Sequence, residues 1–82
     1  MDVLRKKPAA VFIFLKSREQ AYLSEIAKET GTSYVYITNL ITSLEKKGLV
    51  SIHPESKKKM VKLTEKGKEL STLIEEIKGK ME

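Results

Sequence analysis

Apolar residues recur at helical spacing in the middle of the chain, then switch to short strand-like runs, with glycine, proline and polar turns between them. In Leu23-Ser-Glu-Ile-Ala-Lys-Glu-Thr30, Leu23 and Ile26 face inward, and the small Ala27 permits a close helix crossing. Ser24 is the expected cap of this helix, with Glu25 in its first turn, where the helix dipole favours an anion. Gly31 suits the turn that follows, because glycine adopts positive φ freely. A second helix is expected from Ser33 to Lys47, capped by Thr32 or Ser33. Its buried stripe is Ile37, Leu40, Ile41 and Leu44. Lys46 and Lys47 fall in its last turn, and Gly48 followed by Leu49 matches a Schellman stop. Residues 23–47 therefore read as two helices joined by a tight turn.

The pattern on either side completes one domain over residues 1–82. Pro8 is expected to open a first helix, because its missing N–H is tolerated in the first turn. From Ala9 to Lys16 that helix is apolar nearly all round, with Val11, Phe14 and Leu15 on one face and Ala9 and Ile13 on the other. Both faces need cover, one from the helix pair and one from a C-terminal helix or a second subunit. A short buried strand is the competing reading of this run. Ala21-Tyr22-Leu23 can form a short strand. Val50 to His53 and Met60 to Leu63 are β-prone, and the Pro54–Lys58 connection predicts an antiparallel hairpin over 50–63. Thr64 caps a last helix over 64–80. Leu70, Ile74, Ile77 and Met81 are spaced four, three and four, a stripe of the a/d kind. The order predicts an α+β, mostly α fold: a winged helix, with a three-helix core and a two- to three-stranded β wing, plus a C-terminal helix.

The second helix of the pair has an outward face. With Ile37 as the inward reference, Val35, Thr38, Asn39, Thr42 and Lys46 cluster opposite, and Tyr34, Tyr36 and Ser43 flank them. No carboxylate lies in that set to repel phosphate. Asn39 suits a bidentate contact to adenine, Val35 a thymine methyl, and Lys46 a phosphate. Ser33, Tyr36 and Thr38 suit backbone oxygens, which position the helix without reading sequence. Each also has a plainer role: solvated amide, packed ring or helix cap.

Charge sharpens this picture. The chain carries a net charge of +5, and residues 57–62 hold four lysines and no acid. Lys57, Lys58 and Lys59 are therefore expected on phosphate, since lysine is a point charge without arginine's planar fork; solvated loop lysines are the alternative. Arg5 and Arg18 are the only arginines, so the outward helix face lacks the residue most used to read guanine. Lysine and glutamate enrichment with few amides runs in the direction seen in hyperthermophiles.

Other chemistries recede. The chain has no cysteine and one histidine, His53, leaving no thiolate metal site and no histidine-based triad. No pair of groups sits at catalytic spacing, so neither an enzyme nor a cofactor is expected. No apolar run approaches the ~20 residues of a membrane span, and a soluble, cytoplasmic, nucleoid-associated protein is expected.

Three stretches carry a family resemblance: Leu23-Ser-Glu-Ile-Ala-Lys-Glu-Thr-Gly31, Ile37-Thr-Asn-Leu-Ile-Thr-Ser-Leu-Glu-Lys-Lys-Gly-Leu-Val50, and Val61-Lys-Leu-Thr-Glu-Lys-Gly-Lys-Glu-Leu70. Over residues 9–72 the chain resembles the winged-helix transcription regulators of the multiple-antibiotic-resistance regulator (MarR) type and their small archaeal relatives. The resemblance implies a homodimer on double-stranded DNA, with recognition helices in successive major grooves and wings in the flanking minor grooves. On this reading Ser33, Tyr34, Val35, Tyr36, Thr38, Asn39, Thr42, Ser43, Lys46, Lys57, Lys58 and Lys59 contact DNA. Phe12, Ile13, Leu70, Ile74, Ile77 and Met81 are assigned to self-association; folding of the Leu70 stripe onto Val11–Leu15 within one subunit is the alternative. The family wing carries Asp-x-Arg at its tip, where this chain has Pro54-Glu-Ser-Lys-Lys-Lys59. Its terminal helices are also longer, so no small-molecule inducer is predicted here. A protein-interaction module and a non-specific nucleic-acid binder are the competing functions.

Overall fold

A computed structural model describes residues 5–81, with side chains to Lys80. The elements run α1 (Lys6–Arg18), β1 (Gln20–Tyr22), α2 (Leu23–Thr30), α3 (Tyr34–Lys46), β2 (Val50–Glu55), β3 (Lys58–Leu63) and α4 (Glu65–Met81). The three strands form one antiparallel sheet in the order β1-β3-β2. This is the winged-helix arrangement expected from the pattern.

The core lies where the sheet, α1, α2, α3 and α4 meet. Phe12 and Leu15 of α1, Ile26 of α2, Ile37, Ile41 and Leu44 of α3, Val61 of β3 and Ile74 of α4 are fully buried. Each such side chain contributes about 1.5–3 kcal/mol by leaving water. α1 is a helix, because its both-sided apolar surface is covered by α2 on one side and α4 on the other. Ser71 of α4 is fully buried against it; its single hydroxyl proton goes to the Gly67 carbonyl at 2.9 Å, with the Phe12 carbonyl a longer contact at 3.4 Å. A small residue there lets the two helices approach.

Several local expectations shift. α1 begins at Lys6, so Pro8 sits inside the first turn, still among residues whose N–H has no helical partner. The N-cap of α2 is Tyr22, and Ser24 lies within the helix. The Tyr22 backbone N–H is satisfied by the Glu25 carboxylate at 3.0 Å, which is the reach-back half of a capping box. Pro54 is a strand residue opposite Lys59, tolerated because β2 is an edge. Only Ser56 and Lys57 form the turn.

The two helix stops match their residues. Gly31 has φ 66° and Gly48 has φ 75°. At the end of α3 the Leu49 N–H donates to the Leu44 carbonyl and the Gly48 N–H to the Glu45 carbonyl, both at 3.0 Å. Thr64 then joins this stop to α4. Its Oγ1 donates to the Gly48 carbonyl at 2.6 Å and accepts from the Gly67 N–H at 3.1 Å.

The self-association residues divide. Phe12 and Ile74 are completely buried inside the protomer, so neither forms an outer surface. The reason is the α1–α4 packing, which uses α4 as the cover that a second subunit was a candidate to supply. Ile13 and Leu70 are half-buried against the core, and Ile77 is 39% exposed. The side chain of Met81 lies outside the described residues. Leu73, absent from the predicted stripe, is 53% exposed and sits one turn before Ile77.

Candidate nucleic-acid interface

The outward face of α3 is built by its own inward stripe. Burial of Ile37, Leu40, Ile41 and Leu44 turns Val35, Asn39, Thr42 and Lys46 to the outside, all of them exposed. Val35 is 69% exposed and Tyr34 is 54% exposed. A valine displayed to this degree on a helix serves no packing role within the protomer. Ser33 caps the helix, its Oγ accepting the Tyr36 N–H at 3.0 Å, which leaves its hydroxyl proton free to donate.

The threonine hydroxyls are more constrained. Thr38 Oγ1 donates to the Tyr34 carbonyl at 2.9 Å, and Thr42 Oγ1 donates to the Thr38 carbonyl at 2.8 Å. Their protons are therefore committed within the helix. Each presents an oxygen lone pair and a methyl group instead, which suits a donor or an apolar group on a base edge. Ser43 is half-buried on the flank. Glu45, absent from the residues expected at this face, is exposed in the last turn on the opposite flank, the one that carries Tyr34. It sets a negative limit at the C-terminal end of the face.

Tyr36 behaves differently from Tyr34. Its ring packs against the core, and the Lys7 ammonium lies 5.7 Å from the ring centroid, within cation–π range. This draws the first turn of α1 to the first turn of α3.

The hairpin lysines diverge. Lys57 is at the turn. Strand alternation puts Lys58 on the outer side of the sheet with Met60 and Lys62, and Lys59 on the helix-facing side with Val61 and Leu63. Lys58 Nζ lies 4.9 Å from the Tyr22 ring centroid. It also joins the surroundings of Glu25, whose carboxyl is held below its ordinary value. The largest cause is the Tyr22 backbone N–H; burial opposes it, and Arg18 and Lys58 add to the lowering. Arg18 reaches the same carboxylate at 3.1 Å. Lys58, directly after the turn, is thus partly occupied by Tyr22 and Glu25, while Lys57 and Lys59 form no ion pair among the described residues. No local spacing signal links Lys58 to Tyr22, because the strand register alone brings residues 36 positions apart together.

An open cleft of about 270 Å³ lies elsewhere, lined by Leu15, Lys16, Glu19, Leu63, Lys68 and Thr72, and shares no residue with α3. Among the described residues no helix is long and apolar enough to cross a membrane.

Comparison with known proteins places this geometry. Among solved structures, AF1382 from Archaeoglobus fulgidus superposes with a TM-score of 0.89 at 22% identity, covering 95% of this chain and 90% of that one. The MarR family transcriptional regulator SPO1453 from Silicibacter pomeroyi shares the fold at TM-score 0.75 and 18% identity, over 85% of this chain and 51% of that one. Sso10a-2, a DNA-binding protein from Sulfolobus solfataricus, matches at TM-score 0.72 and 27% identity, over 84% and 75%. A curated relative, the phenylalanine–tRNA ligase alpha subunit of Metallosphaera sedula, is 35% identical over 66 residues, which are 80% of this chain and 14% of that protein. This chain thus spans a small fraction of the curated relative's length. The model for the winged helix-turn-helix family matches residues 5–82, and the chain belongs to that family.

Proposed function

We propose that the chain is a sequence-specific double-stranded-DNA-binding transcription regulator. α3 enters the major groove, where Val35 and Asn39 meet base edges and Thr42 offers a methyl and an acceptor. Ser33 and Lys46 hold phosphates near the two ends of the helix, and Lys57 and Lys59 reach the backbone beside it. The single observation that carries this reading is the outward surface of α3: an exposed valine, amide and threonine aligned along one face, with no role in the protomer's core. The DNA-binding character of Sso10a-2 supports it.

Two copies acting together fit this function, because two-fold symmetry matches a palindromic site with half-sites about one helical turn apart. Among the described residues, Leu73 and Ile77, exposed one turn apart on α4, are the exposed large apolar side chains on that helix available for such a contact. Repression by occlusion is the default outcome of such binding.

A second reading follows from the curated relatives, in which a segment like this one is a small part of a tRNA ligase subunit. There the same surface would serve structured RNA. The deep, narrow major groove of A-form RNA excludes an inserted helix, so the face of α3 favours DNA. Parallel titration of a duplex DNA pool and an RNA hairpin pool at low salt separates the two. Tighter binding to the DNA pool, weakened by Val35→Asp, supports the proposal; preference for RNA, or indifference to Val35→Asp, overturns it.

A further inference from the structure

The first turn of α1 concentrates charge in an unexpected place. Arg5, Lys6 and Lys7 are consecutive and exposed, and the turn holds no acidic residue. Cations at the start of a helix oppose its dipole, so this placement does not serve the stability of α1. None of the three takes part in an ion pair among the described residues. The turn is nevertheless rigidly mounted. Pro8 and Ala9 are buried directly behind it, and the Ala9 N–H closes onto the Arg5 carbonyl at 3.0 Å.

Its position relative to α3 gives the charge a use. Lys7 lies over Tyr36, the residue next to the exposed Val35, so the basic turn adjoins the N-terminal end of the reading face. Lys46 marks the other end of the same helix. A helix of 13 residues is about 20 Å long, and a B-form major groove is about 12 Å wide. Cations at both ends of α3 therefore meet the phosphates on both lips of one groove.

We infer that Arg5, Lys6 and Lys7 form a phosphate-binding surface of this protein, separate from the hairpin, that grips the groove edge next to the start of α3. The inference rests on the duplex-DNA reading above and extends it to an element outside the helix-turn-helix and the wing. Lys7 is held by Tyr36 and sets the distance, while Lys6 and Arg5 add charge along the backbone.

The test is the salt dependence of binding to one selected DNA duplex. It compares the wild-type chain, a Lys6→Gln/Lys7→Met variant that keeps packing against Tyr36, a Lys6→Arg/Lys7→Arg variant that keeps charge, and a Lys78→Gln/Lys80→Gln control on α4. Every phosphate that a variant no longer neutralises lowers the slope of log affinity against log salt by about 0.9. The expected result is a slope shallower by about 1.8 per protomer for the Gln/Met variant, with wild-type slopes for the Arg/Arg variant and the α4 control, at unchanged melting temperatures. An unchanged slope in the Gln/Met variant, with the wild-type chain binding normally, overturns the inference and leaves the DNA function standing. An equal loss in the α4 control reduces the effect to net charge and also overturns it. Failure of the wild-type chain to bind any duplex overturns both.

Discussion

A Cβ placed on Gly67 would overlap the carbonyl oxygen of Leu49. In sequence Gly67 is a weak point in the first turn of α4. In the structure it is where α4 crosses the end of α3, close enough that no side chain fits. The surrounding bonds fix the crossing: the Thr64 N–H donates to the Leu49 carbonyl at 3.1 Å, and Thr64 Oγ1 bridges Gly48 and Gly67. Gly67→Ala gains about 1 kcal/mol of helix propensity, but the opposing atom is backbone and cannot move aside cheaply. The expected net effect is a loss of about 1–3 kcal/mol, read by urea denaturation. A stabilised variant would show that α4 does not pack against Leu49 in this way.

The hairpin turn holds a strained residue. Ser56 has φ 57° and is the first of two turn residues, a place that favours glycine. Ser56→Gly is expected to raise stability by up to about 1 kcal/mol. Thermal melting checks this, and a lowered melting temperature contradicts it.

The Glu25 cluster predicts a pH effect of definite sign. The folded-state pKa of Glu25 lies below its ordinary value of 4.5, chiefly through the Tyr22 N–H and then through Arg18 and Lys58. A depressed pKa means that the ionised carboxylate favours the folded state. Its contribution is full above the ordinary value and is lost as pH falls through the lowered one. Wild type is therefore expected to melt above Glu25→Gln at pH 7, with the gap narrowing steadily below pH 4.5. A gap that stays constant into acid would remove the charge of Glu25 from the account.

The proposed division of labour within the interface is separable by mutation. Asn39→Ala is expected to cost about 1–3 kcal/mol on the preferred site and to relax preference at one base position, with the salt slope unchanged. Lys57→Ala is expected to weaken all sequences alike and to lower the salt slope by about 0.9. Fluorescence anisotropy at several salt concentrations, on preferred and scrambled duplexes, distinguishes them. The same salt slope change in both variants would contradict the division.

Much of this fold was legible because its stops are local. Gly31, Gly48-Leu49 and the Thr64 cap on the Gly67 N–H each act within a few residues, and each does what its type predicts. The stripe of Ile37, Leu40, Ile41 and Leu44 likewise determined which side of α3 faces out. What escaped depends on contacts between distant residues. Burial of Phe12 and Ile74 in one protomer follows from how α1 meets α4, which periodicity does not specify. Spacing gave Lys57, Lys58 and Lys59 a common role, whereas strand alternation and the Tyr22 ring separate them. Its place on the outward face made Thr38 a donor to backbone oxygens, yet its proton turns back into the helix, as does that of Thr42.

Selection of bound sequences from a random duplex DNA library tests whether α3 reads base sequence. The expected result is enrichment of a short site whose preferred positions shift when Val35 or Asn39 is replaced, arranged as two inverted halves about 10 base pairs apart. Recovery of unselected sequences, at affinities equal to the starting pool, would contradict it.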